Sequence, residues 1–70
     1  MKWIVWAEAT CYVCRQTAGT TWHARALAKG RNVYRPSSPC ATLPVTVDAE
    51  TRREAIRRAK LGPLSKFVRR

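Results

Sequence analysis

The chain has 70 residues, of which 14 are Lys or Arg and only four are Asp or Glu, for a formal net charge of +10. A chain this short forms one small domain that buries about 60% of its unfolded surface, so it needs a metal, a disulfide or a partner to be comfortably stable. The apolar fraction of 46% excludes full disorder, and the charge favours polyanionic partners while naming no reaction.

Residues 2–14 read as a first strand. Val5, Ala7, Ala9, Cys11 and Val13 recur with period two and form an apolar face, while Lys2, Ile4, Trp6, Glu8, Thr10, Tyr12 and Cys14 alternate with them on a mixed face. The longest apolar run, Trp3 to Ala7, is too short for a membrane span, and Glu8 ends it before a signal-peptide core develops. No membrane association is expected, and the placement expected is cytoplasmic. Three cysteines, an odd number, fit poorly with a secreted disulfide framework.

A turn is expected at Gln16 to Thr20, with Gly19 free to take a positive φ. A second strand follows over 21–28, with Trp22, Ala24, Ala26 and Ala28 on one face and His23, Arg25 and Leu27 on the other. Lys29 to Asn32 signals a turn, and Val33-Tyr34-Arg35 extends a strand briefly before Pro36-Ser37-Ser38-Pro39 breaks regular structure. A third strand is expected over 41–47, with Leu43, Val45 and Val47 on one side and Pro44 restricting it to an edge.

The helix over 49–61 is the clearest element. Asp48 is the first choice as its N-cap; Thr51-Arg52-Arg53-Glu54 offers an alternative capping box. Ala55, Ile56 and Ala59 make a narrow apolar stripe, and Gly62-Pro63 ends the helix. The sequence thus specifies an α+β fold: a small three-stranded antiparallel sheet with one C-terminal helix packed on one face. The domain comprises 1–61, followed by a basic tail over 62–70 that forms a short second turn or stays mobile. At the level of topology alone, the strand-strand-strand-helix order resembles that of the DNA-binding arm domains of some integrases.

The charge is unevenly spread. Residues 1–47 hold six cations against Glu8, and residues 48–70 hold eight against three acids, so each part nets +5 but the second is half as long. Arg53, Arg57 and Lys60 fall at i, i+4 and i+7 on one helical stripe, flanked by Arg52 and Arg58. Glu54 and Arg58 are spaced to pair. The expected function is non-enzymatic binding of nucleic acid, DNA or RNA, through phosphate contacts from Arg52, Arg53, Arg57, Arg58 and Lys60, with Arg25 and Arg31 as auxiliaries. The alternative is a small phage- or mobile-element-type adaptor or inhibitor that binds a host protein.

Two further constellations stand out in the sequence. If Val5, Ala7, Ala9 and Trp22 face the helix, then Trp6, Tyr12, His23 and Arg25 face away, available to stack bases, to pack against the 29–40 loop or the C-terminal tail, or to form a dimer interface; packing is the stronger expectation for Trp6. Cys11 and Cys14 have the spacing of a zinc half-site that His23 and Cys40 could complete. A regular strand points Cys11 and Cys14 to opposite faces, so the expectation is instead a buried Cys11, free thiols near the surface at Cys14 and Cys40, a neutral surface or hydrogen-bonded His23, and no cofactor. No phosphate-binding Gly loop or catalytic constellation is present, and no enzymatic activity is expected.

Overall fold

The computed structural model describes residues 1–9, 19–29 and 31–67. Three strands, β1 (Lys2–Ala9), β2 (Thr20–Ala26) and β3 (Val45–Asp48), precede α1 (Arg52–Leu61) and a single 3-10 turn over Ser65–Phe67. The strands form an antiparallel sheet in the order β2-β1-β3. The α+β architecture read from the sequence is therefore the observed one. The first strand lies in the middle, which explains why Ile4 to Glu8 form an unbroken buried run.

Alternation assigns the two faces of the sheet. Val5 and Ala24 form a core with Ala49, Ala55, Ala59 and Leu64, against which Trp3, Trp22, Val45, Val47 and Ile56 pack. Ala55 and Ala59 are fully buried. Their short side chains allow α1 to lie close on the sheet, so backbone proximity replaces bulk in this small core. Leu64 folds the residues after the helix back onto the same core, where its N–H donates to the Ala59 carbonyl at 3.0 Å.

Local chemistry sets the helix ends. Thr51 is the N-cap, its Oγ1 accepting from the Glu54 N–H at 3.2 Å. The expectation of an Asp48 cap is corrected. Asp48 is the last residue of β3, and its carboxylate faces Lys2 Nζ at 3.2 Å and the N-terminal amine at 3.9 Å. Gly62 closes the other end, donating its N–H to the Ala59 carbonyl.

The second sheet face is covered by the chain between β2 and β3. Residues 33–35 are irregular, contrary to the brief strand expected there. The Asn32 side chain accepts from the Tyr34 N–H at 2.8 Å, a local turn that competes with strand pairing. The third strand also begins later than expected. Ala41 makes only an isolated bridge with Glu8, and the strand starts after Pro44, which has no N–H for a ladder. Leu43, expected beside Val45 and Val47, is instead 83% exposed, while Thr42 turns inward. There the Thr42 N–H donates to the Ala7 carbonyl at 2.8 Å and its Oγ1 accepts from the Ala7 N–H at 3.1 Å.

Candidate functional site

The predicted phosphate contacts lie mainly on one side of α1. Arg52, Arg53, Arg57 and Lys60, with Ile56 and Leu61, line an open hollow of about 800 Å³. Helical spacing produces this grouping directly, since residues three and four apart share a face. Arg52 also borders a second hollow of about 290 Å³, together with His23, Ala24 and Arg25 of β2. The fold thus brings Arg25 to the helix stripe across a sequence separation that no local pattern encodes. Arg58 and Arg31 line neither hollow. Arg58 donates to Glu54 Oε1 through Nη2 at 2.9 Å and Nε at 3.2 Å, the pairing expected from their spacing. Arg31 is exposed on the segment after β2.

The acids are largely occupied elsewhere. Asp48 is taken up by Lys2 and the N-terminus, Glu54 by Arg58, and Glu8 lies inside. Among the described residues, no carboxylate is within ion-pair distance of Arg25, Arg52, Arg53 or Arg57. Lys60 is partly committed to the fold, its Nζ 5.2 Å from the centre of the Trp22 ring. Such a cation–π contact contributes about 0.5–1 kcal/mol at an exposed site and ties the last turn of α1 to β2.

Arg52 and Arg53 also occupy the first turn of the helix. There the macrodipole is positive, and each cation costs about 0.3–1 kcal/mol relative to a favourable charge. Glu54 in the same turn offsets part of this cost.

Opposite the helix lies a second cluster. Trp6 is 1% exposed, stacked on His23 with ring centres 5.1 Å apart and met edge-on by Tyr34 at 5.2 Å. Packing beneath the loop is therefore the observed arrangement, and Trp6 has no face left for a base. Tyr12 lies outside the described residues.

Glu8 sits below this stack, 5% exposed. Its Oε1 accepts from Trp6 Nε1 at 3.1 Å and the Ser37 N–H at 2.7 Å, and its Oε2 from Ser37 Oγ at 2.7 Å. Burial pushes the Glu8 pKa upward; the Ser37 hydroxyl and N–H, the Trp6 indole and the nearby His23 together overcome it and hold the carboxyl below its ordinary value. His23 Nε2 lies 3.3 Å from Glu8 Oε2, shielded from solvent and outside hydrogen-bond alignment. Sequence alternation assigned Glu8 to this face but offered no sign that Ser37 would satisfy it.

The thiol expected at Cys40 is corrected, because Cys40 is disulfide-bonded. The backbone explains its location: the Cys40 carbonyl accepts from the Ala9 N–H at 3.4 Å, alongside the end of β1. Cys11 and Cys14 lie outside the described residues. A sulfur held in a disulfide is not a thiolate donor, so Cys40 drops out of the zinc set with Cys11, Cys14 and His23. Among the described residues, no group of three or more His, Cys, Asp or Glu side chains is arranged to hold a metal ion. Among them, too, no helix is long and apolar enough to cross a membrane.

No family model, curated protein or solved structure matches this chain.

Proposed function

We propose that this protein binds nucleic acid without catalysing a reaction. Arg52, Arg53, Arg57, Arg58 and Lys60 contact phosphates, and Arg25 and Arg31 assist. The observation that carries this reading is the grouping of Arg25, Arg52, Arg53 and Arg57 around two hollows that share Arg52, with no carboxylate among the described residues within ion-pair distance of any of them. Cations in such a cluster repel one another, and phosphates relieve that repulsion while releasing condensed counterions. The two arginines set against the helix dipole support the same reading, since their placement lowers stability for a gain outside the folded chain. DNA and RNA both offer the required backbone. The setting is proposed to be cytoplasmic, a reading against which the Cys40 disulfide stands, since such bonds persist in oxidising compartments.

The test is a salt series of fluorescence anisotropy with labelled duplexes and single strands. Affinity should fall steeply between about 50 and 200 mM salt. The double substitution R53A/R57A should weaken binding to every sequence and flatten the log–log salt slope for duplex DNA by about 1.8. Absence of binding by the native protein at low salt would rule the reading out.

One observation favours a second reading, an adaptor or inhibitor of a host protein of the phage or mobile-element type. Leu61 is 77% exposed in the same hollow as Ile56, an apolar strip among arginines suited to an acidic, amphipathic partner. A complex with a protein that survives nuclease treatment and is broken by Leu61→Asp, together with no affinity for nucleic acid, would favour this reading over the first.

A further inference from the structure

The outer edge of β2 brings backbone as well as side chains to the basic surface. The Leu27 N–H donates to the Lys2 carbonyl at 3.0 Å, and the register continues through Arg25↔Ile4 and His23↔Trp6. In an antiparallel ladder, hydrogen-bonded pairs alternate with pairs whose N–H and C=O groups point away. Leu27, Arg25 and His23 thus direct their backbone groups toward β1, whereas Ala24, opposite Val5, directs its own outward. Among the described residues, no strand covers that edge.

Ala24 is one wall of the 290 Å³ hollow, with His23, Arg25 and Arg52 as the others. The walls come from two elements that are fixed relative to each other, because Ala24 packs in the same core as Ala55 and Ala59. The His23 ring is held by its stack on Trp6. Glu8, the acid beside the His23 ring, is already satisfied by Ser37 and Trp6. The hollow therefore presents two guanidinium groups and an outward backbone edge with no carboxylate of its own. Its volume lies at the lower end of ligand pockets, about 300–1,000 Å³, which suits a small anionic group better than a nucleobase with its sugar.

We infer that this hollow is a seat for one phosphate group, gripped by Arg25 and Arg52 and met by the outward N–H of Ala24. The inference rests on the nucleic-acid reading and deepens it: the seat takes one backbone phosphate, and Arg52 passes the strand on to Arg53 and Arg57 in the larger hollow. Charge-assisted hydrogen bonds from forked guanidinium groups, joined by a backbone N–H, are the chemistry that recognises a phosphate oxygen set.

The experiment is a titration of the 70-residue chain with inorganic phosphate, followed by nitrogen–proton NMR. Saturable shifts are expected at the Ala24 amide and at the Arg25 and Arg52 side chains. Arg25→Ala should weaken phosphate binding about tenfold or more, because a hydrogen-bonded charge is lost. Arg53→Ala should leave the Ala24 shift in place. Arg25 is exposed, and an unchanged amide spectrum outside the hollow checks that each variant is folded. Shifts spread evenly over all arginines without saturation, or an Ala24 shift unaffected by Arg25→Ala, would overturn the seat. A second titration with an oligonucleotide separates the two ideas. Nucleic-acid binding that leaves Ala24 unmoved removes the seat and keeps the function. Saturable phosphate binding without oligonucleotide binding keeps an anion site and removes the function.

Discussion

Glu8 is the residue on which the face opposite the helix is organised. A carboxylate this buried is tolerated because three donors converge on it, two of them from Ser37. Its folded pKa lies below the ordinary 4.5. The unfolded chain therefore binds the proton more readily, and the stabilisation is present above about pH 4.5 and is lost as pH falls through the lower, folded value. Urea unfolding followed by Trp fluorescence should show a midpoint that falls as the solution is acidified below that point. Glu8→Gln should destabilise the protein at pH 7 by about 1–3 kcal/mol, since an amide cannot accept from all three donors with the same charge. It should also remove part of the acid sensitivity. An unchanged midpoint in the variant would contradict this account.

At the scale of the element, α1 serves two demands that conflict. Its buried side is built from Ala55 and Ala59, which allow close approach to the sheet. Ala59→Leu should therefore overpack the seam and cost about 1–3 kcal/mol, measured by denaturant unfolding. Its outer side carries Arg52 and Arg53 where the dipole prefers acids. Arg53→Glu should raise stability by about 0.3–1 kcal/mol while lowering affinity for nucleic acid. A thermal scan and an anisotropy titration on the same variant test both halves; a loss of stability together with retained binding would refute the trade. Much of this element was legible in the sequence. The Ala stripe, the Arg53–Arg57–Lys60 spacing, the Glu54–Arg58 pair and the Gly62 stop are all set by residues within one or two turns of each other. The choice of Thr51 over Asp48 as cap was not, because Asp48 is recruited by Lys2 and the N-terminus, groups far away in the chain.

At the scale of the whole molecule, the question is how so short a chain holds together. Helix, sheet and the 31–44 segment form three layers, with β1 enclosed between the other two. Cys40 is disulfide-bonded, and its carbonyl accepts from the Ala9 N–H at the end of β1. Removing a native disulfide from a small domain costs about 2–5 kcal/mol. A thermal scan with reductant, or of Cys40→Ala, should show a lower midpoint than the oxidised protein; equal midpoints would mean that the fold does not depend on the bond. The sequence by itself determined the α+β class, the helix with its basic stripe, and the alternation that set Val5 and Trp22 against Trp6 and His23. These follow from periodicity and propensity, which act over a few residues. Only the tertiary structure decided that β1 is central, that Ser37 and Tyr34 bury Glu8 and Trp6, that Cys40 is oxidised, and that Arg25 shares a hollow with Arg52. Each of these depends on which distant segments meet, and that is decided by strand edges and hydrogen-bond partners competing across the whole chain.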